Sequence, residues 1–178
     1  MSETVFDGVH LLAMSFMLFG AMWKDAVSRR IPNSLVLAGA LVALFLSVTP
    51  HGTGVASALL GGVIGLLLFS MFYIVRVLGA GDVKLMTAMG IFVGDLDIWM
   101  LSLSVLMAGG LLAIFWAIWT ERWREVLSNL VVVFFHVGQR WSEGSFLSVK
   151  DVPVSGERMP YALAIGLGTA WHLLSLKG

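Results

Sequence analysis

The sequence predicts an all-α polytopic membrane helix bundle of about six transmembrane helices, with an interfacial helix between the fifth and the sixth. Three observations lead there. The 178 residues are 58% hydrophobic before their 20 glycines are counted, against roughly 45 to 50% with glycine included for a soluble domain. Charged residues make up only 12%, about half the usual share. The stretches Ile31 to Val75 and Ile98 to Thr120 contain no charge at all, and one crossing of a hydrocarbon core about 30 Å thick takes roughly 20 such residues. Too little polar surface is available for a soluble fold, and the apolar content excludes disorder. Six crossings leave little over, so residues 1–178 read as a single membrane-embedded domain.

Each element has its own warrant. The first helix is expected over Gly8 to Trp23. Its flank, Met1 to Asp7, carries two acids and no Lys or Arg, and no small-residue cleavage site follows, so it reads as a retained helix rather than a signal peptide. The long uncharged run is interrupted by Pro50, His51, Gly52, Thr53 and Gly54, a turn that separates helix 2, near Asn33 to Thr49, from helix 3, near Val55 to Val77. The apolar run Leu85 to Gly94 is short for a span and makes helix 4, within residues 83–97. Asp95 to Asp97 is the turn into helix 5, Ile98 to Thr120. The patch Val126 to Val137 is expected on the interface, Ser142 to Arg158 as loop, and Met159 to Leu176 as helix 6. Trp99, Trp116 and Trp119 suit interfacial anchoring.

Charge placement orients the bundle. Lys24, Arg29 and Arg30 follow helix 1; Arg76 and Lys84 flank the junction of helices 3 and 4; Arg122, Arg124, Arg140, Lys150 and Arg158 follow helix 5. All fall on one side if helix 4 crosses, with only Lys177 dissenting, so the positive-inside rule puts both termini outside. Composition also removes whole classes of chemistry. With no cysteine, disulfides, thiolate metal sites and cysteine nucleophiles are excluded. The four histidines, His10, His51, His136 and His172, are scattered without a Glu-x-x-His pattern, so neither metal nor cofactor is expected. A formal charge of zero without basic clusters argues against nucleic acid and leaves lipid as the evident partner.

Two carboxylates stand apart from the other aspartates. Asp25 and Asp82 fall at the ends of helices 1 and 4 on the positively flanked side, where an ionisable group calls for a partner or an aqueous cavity. Interfacial pairing with Lys24, Arg29, Arg30 or Lys84 is one explanation; local backbone chemistry offers another. Pro32 restrains Ile31 to extended geometry, and Asn33 or Ser34 can cap helix 2, so a fixed hairpin holds Asp25 beside that helix. Gly79 and Gly81 permit positive φ and close helix approach, and Asp82 stands at the expected N-cap of helix 4. Paired carboxylates sharing a proton can hydrolyse an amide without metal or thiol. Helix dipoles favour Asp82, at an N-terminus, as the anion and Asp25, near a C-terminus, as the protonated partner, an order that Lys24, Arg29 and Arg30 beside Asp25 can reverse.

The strings Asp25-x5-Ile31-Pro32-Asn33 and Gly79-Ala80-Gly81-Asp82-Val83-Lys84-Leu85 resemble the signature of the prepilin peptidases, membrane aspartic endopeptidases of the Gly-x-Gly-Asp type. The resemblance runs from helix 1 to helix 6, including Met159-Pro160-Tyr161 before the last helix. It implies Asp25 and Asp82 as the catalytic pair, with Gly79, Gly81, Lys84, Pro32 and Asn33 in support. It also implies a substrate: a type IV prepilin or pseudopilin precursor, cut at the cytoplasmic face of the bacterial inner membrane between a short basic leader and an apolar helix. Larger members carry paired Cys-x-x-Cys motifs and also N-methylate the new terminus. This chain, without cysteine, is more similar to the small peptidase of tight-adherence (Flp) pilus systems, with methyl transfer not expected.

Two other functions compete on the residues alone. A small transporter or channel would use Asp25 and Asp82 as proton or cation sites, but would leave the Ile31-Pro32-Asn33 hairpin without a purpose. A noncatalytic assembly scaffold would tolerate Asp to Asn changes.

Overall fold

The structure, a computed structural model, describes residues 8–50, 52–74, 77–120 and 161–176. Five helices make up the described fold: α1 (Gly8–Ser28), α2 (Asn33–Ser47), α3 (Val55–Ile74), α4 (Ala80–Trp119) and α5 (Tyr161–Ser175). It is an all-α polytopic membrane bundle. Three segments are long and apolar enough to cross a membrane: Gly8–Ser28, Val55–Ile74 and Ala80–Trp116. With 15 residues each, α2 and α5 reach only about 22 Å. The expected interfacial helix at Val126 to Val137, and the loop after it, lie outside the described residues.

Helix 1 continues further than expected, through Ser28. Arg29 closes it in the left-handed region (φ 51°), its N–H donating to the Asp25 carbonyl at 2.8 Å, a common way for a helix to stop. Asp25 therefore sits in the last turn of α1. Between α2 and α3, Gly54 (φ 86°) turns the chain and donates to the Ser47 carbonyl at 3.1 Å. The turn between α2 and α3 falls where the sequence signals put it, whereas α1 ends at Ser28, beyond the expected Trp23.

Helices 4 and 5 of the sequence reading form one 40-residue element whose internal break is Gly94 (φ 81°, ψ −179°). The break thus falls just before the expected Asp95 to Asp97 turn, and Asp95 and Asp97 are already helical. The reason is a cap borrowed from α3: the Asp95 N–H donates to Ser57 Oγ at 3.2 Å, while the Ser57 hydroxyl donates to the Asp95 carboxylate. With its first orphan N–H satisfied, the second arm can start at once. Its direction follows from Gly65, where an added Cβ would lie 2.7 Å from the Met86 carbonyl oxygen and 3.5 Å from Ile98 Cδ1. In a straight helix those two residues would be about 18 Å apart. The chain therefore folds back at Gly94, and α4 is two arms meeting in a sharp reversal.

The two arms organise the core. α4 touches every other helix, with Leu85, Met86 and Met89 of its first arm and Ile98, Leu101 and Val105 of its second fully buried. Glycines bring α3 against it: a Cβ on Gly61 would collide with the backbone of Gly90 and Gly94, close contact of the kind that membrane helices use where lipid gives no hydrophobic drive to associate. The outside is apolar as well. Phe16, Phe45, Leu67, Ile118 and Trp171, from five different helices, are each more than half exposed, as suits a surface solvated by lipid chains.

Candidate active site

Four helix ends meet at one end of the bundle. The C-terminus of α1 brings Asp25, and the N-termini of α2, α4 and α5 bring Asn33, Asp82 and Tyr161. Asp25 and Asp82 are each 8% exposed, sheltered without being sealed from water. An isolated carboxylate so placed is costly, and each has a backbone donor that lowers the cost.

The donor for Asp25 comes from the far end of the sequence. Ala162 N–H, in the first turn of α5, donates to Asp25 Oδ2 at 3.1 Å, and the Arg29 charge also acts on this carboxylate. The donor for Asp82 is local. Gly79, not Asp82, is the N-cap of α4 (φ −83°, ψ 154°); Asp82, at the third helical position, accepts its N–H through Oδ2 at 3.0 Å. That is the reach-back half of a capping box. The correction bears on proton placement. Both carboxylates now accept one N–H from a helix N-terminus, so the dipole asymmetry expected to mark Asp25 as the protonated member is lost.

The predicted supporting residues gather here in altered roles. Neither Gly79 nor Gly81 takes positive φ, which among glycines of the described residues belongs to Gly54 and Gly94. What they supply is the other expected property, clearance for close approach. A Cβ on Gly81 would lie 3.2 Å from Ile31 Cβ, and one on Gly79 would lie 3.2 Å from the Asp82 carboxylate. Pro32 is the N-cap of α2 (φ −64°, ψ 130°) and makes no side-chain cap bond. Asn33 does not cap either: as the first helical residue it accepts from Lys84 Nζ at 3.0 Å through Oδ1. The hairpin after α1 is thereby tied to the start of α4 twice, by the Gly81 and Ile31 packing and by this bond.

Sequence reasoning missed the part played by α5. A backbone N–H leaves no trace in residue type, so Ala162 could not be singled out; Pro160, a helix-start signal just ahead of it, was the nearest clue. Tyr161 is also within electrostatic reach of Asp82. Among the described residues no group of three or more His, Asp or Glu gathers as metal ligands. Asp25 meets the first turn of α5 and Asp82 belongs to the first turn of α4, both at one end of the bundle, an arrangement suited to paired acid and base work on a peptide bond.

A family model described as the type IV leader peptidase family matches residues 12–118. That interval contains both carboxylates, the Ile31-Pro32-Asn33 hairpin and both arms of α4. No curated protein and no solved structure compared with the chain gives a significant match.

Proposed function

Because the chain belongs to the type IV leader peptidase family, aspartic-type endopeptidases that remove leaders from prepilin-like precursors, we propose that Asp25 and Asp82 are the pair that carries the reaction. The observation that supports this most is that both carboxylates are sheltered at one end of the bundle and each accepts a backbone N–H from a helix N-terminus, Asp25 from Ala162 and Asp82 from Gly79. In the reaction one carboxylate is ionised and the other protonated. The ionised member takes a proton from water as its oxygen bonds the scissile carbonyl carbon, and the protonated member donates to the carbonyl oxygen. Collapse of the tetrahedral intermediate breaks the C–N bond as the carboxyl that took water's proton gives it to the leaving nitrogen, while the other carboxylate takes its proton back from the hydroxyl as the C=O bond re-forms. Gly79, Gly81, Pro32, Asn33 and Lys84 hold the helix ends at this spacing.

The two arms of α4 counted separately, with α1, α2, α3 and α5, give six spans. The positive-inside distribution supports a site facing the cytoplasm at the inner membrane, with both termini periplasmic. The substrate is then a prepilin or pseudopilin whose apolar helix lies in lipid against the bundle, presenting its leader junction at the carboxylates. Absence of cysteine supports the small peptidase of Flp-type pilus systems, acting as one domain over residues 1–178 without methyl transfer. Co-expression with a leader-bearing precursor tests the pair. Wild type removes the leader, whereas Asp25→Asn and Asp82→Asn leave it uncut at normal membrane abundance; full processing by either variant eliminates that residue from the dyad.

A further inference from the structure

The helices that carry the site are shorter than those beside them. At the end away from the carboxylates their levels are fixed by contact. Gly54 N–H, ahead of α3, donates to the Ser47 carbonyl at the end of α2 at 3.1 Å, and Asp95 N–H donates to Ser57 Oγ at 3.2 Å, so α2, α3 and both arms of α4 are level there. From that level α2 reaches Asn33 in 15 residues, about 22 Å, and the first arm of α4 reaches Asp82 in about 18 Å. Asn33, bonded to Lys84 at 3.0 Å, thus stands near the level of the carboxylates. α3 continues for 20 residues, about 30 Å, the thickness of a hydrocarbon core. It passes Asn33 by about 8 Å, and the second arm, ending at Trp119, goes about 7 Å further still.

Surface chemistry follows these lengths. Near the carboxylate level α1, α2 and the hairpin between them carry exposed Lys24, Arg29, Arg30, Asn33 and Ser34, charges and polar groups that hydrocarbon does not host cheaply. Past the same level, α3 exposes Tyr73 and Ile74, and the second arm exposes Ile114, Phe115 and Ile118. The apolar belt around the bundle is therefore a wedge, about 22 Å high at α2 and about 30 Å at α3, with its step at the end that holds the carboxylates.

We propose that this wedge thins the bilayer beside α1 and α2 and so brings the cleavage junction of a precursor out of lipid at the level of Asp25 and Asp82. The inference rests on the peptidase reading above and adds how the site reaches a bond that adjoins an apolar helix. Lipid meets a short apolar belt by thinning. A precursor helix that fits a core about 30 Å thick, brought into a zone of about 22 Å, is too long by about 8 Å, or roughly five residues. Those residues emerge at the stepped end, where the carboxylates are. Thinning carries a cost that grows with mismatch, so a thicker surrounding bilayer opposes it.

Two measurements on the full chain in phosphatidylcholine bilayers test the proposal. The chain has no cysteine, so single nitroxide labels can be attached to Ser34→Cys and Ile114→Cys, both at exposed positions. From the level of Gly94, Ile114 lies about 30 Å along the second arm and Ser34 only about 20 Å along α2. A flat membrane boundary would leave Ser34 in lipid whenever Ile114 is. The wedge reverses that order: the Ser34 label is expected to collide with a water-soluble nickel chelate and the Ile114 label with oxygen dissolved in lipid. A Ser34 label in lipid, or an Ile114 label in water, overturns the proposal. Cleavage of a leader-bearing precursor, with rates normalised to folded enzyme, is then followed as acyl chains lengthen from about 14 to about 22 carbons, and should fall by about fivefold or more. A rate that is constant or rises with thickness overturns the proposal while leaving the peptidase reading intact. Reversed labels without cleavage in any bilayer overturn the peptidase reading and leave the wedge.

Discussion

Lys84 Nζ donates to Asn33 Oδ1 at 3.0 Å, across the gap between the start of α4 and the start of α2. The bond joins the two sequence strings that contain Asp82 and Asp25, so it belongs to the spacing of the pair. A double-mutant cycle of Asn33→Ala and Lys84→Ala, read by unfolding in detergent, is expected to give a coupling of about 0.5 to 1 kcal/mol, modest because the bond is exposed. Cleavage rates should fall in both single variants and fall little further in the double; fully additive losses would show that the bond does not transmit spacing.

Asp25 separates stability from activity. In Asp25→Asn the amide oxygen can still accept from Ala162 N–H, so thermal unfolding should stay close to wild type while leader removal is lost. Asp25→Ala leaves that N–H buried without its acceptor and should cost about 1 to 3 kcal/mol in addition. Equal stability of the two variants would mean that the Ala162 contact contributes nothing to the fold.

Gly61 and Gly110 are both helical glycines of this bundle, with opposite expectations. A Cβ on Gly61 meets only backbone, of Gly90 and Gly94, whereas one on Gly110 meets nothing within 4 Å. Gly61→Ala forces α3 and α4 apart and should destabilise by about 1 to 3 kcal/mol. Gly110→Ala should be neutral or stabilise by up to about 1 kcal/mol through helix propensity. Unfolding midpoints of the two proteins in micelles decide the ordering.

The reversal at Gly94 offers two routes to the same loss. Gly94→Ala puts a side chain at φ 81° and its Cβ 2.6 Å from Ser57 Oγ, a strained conformation expected to cost about 1 to 3 kcal/mol. Ser57→Ala removes both hydrogen bonds to Asp95 and should cost a similar amount, about 1 to 3 kcal/mol. Measured unfolding free energies of the two single variants and the double should be less than additive, since both act on one junction.

Much of this was legible in the sequence, for physical reasons. Uncharged runs and the Pro50 to Gly54 interruption mark helices because lipid demands apolar, internally bonded segments, and α2 and α3 begin where those signals put them. Asp25 and Asp82 stood out because charge at a membrane boundary is costly. What escaped was carried by groups that composition does not encode. The Ala162 N–H is a backbone donor far from Asp25 in sequence; Ser57 caps a helix to which it does not belong; the Asn33 side chain, one of two candidate caps with Ser34, bonds Lys84 instead. Of the two properties expected of Gly79 and Gly81, positive φ and close approach, the structure uses only the second.

The reversal at Gly94 also makes a lever of the first arm of α4. Twelve residues separate Gly94 from Asp82, about 18 Å of helix, so each degree of rotation at the break swings the carboxylate by about 0.3 Å. Reactive groups need placement to within about 0.5 Å, which corresponds to about 2° at the pivot. The bond between Ser57 and Asp95, at the opposite end of the bundle from the chemistry, thus sets an angular tolerance for the active site, and loosening it would be felt as a slower reaction before it was felt as an unfolded protein.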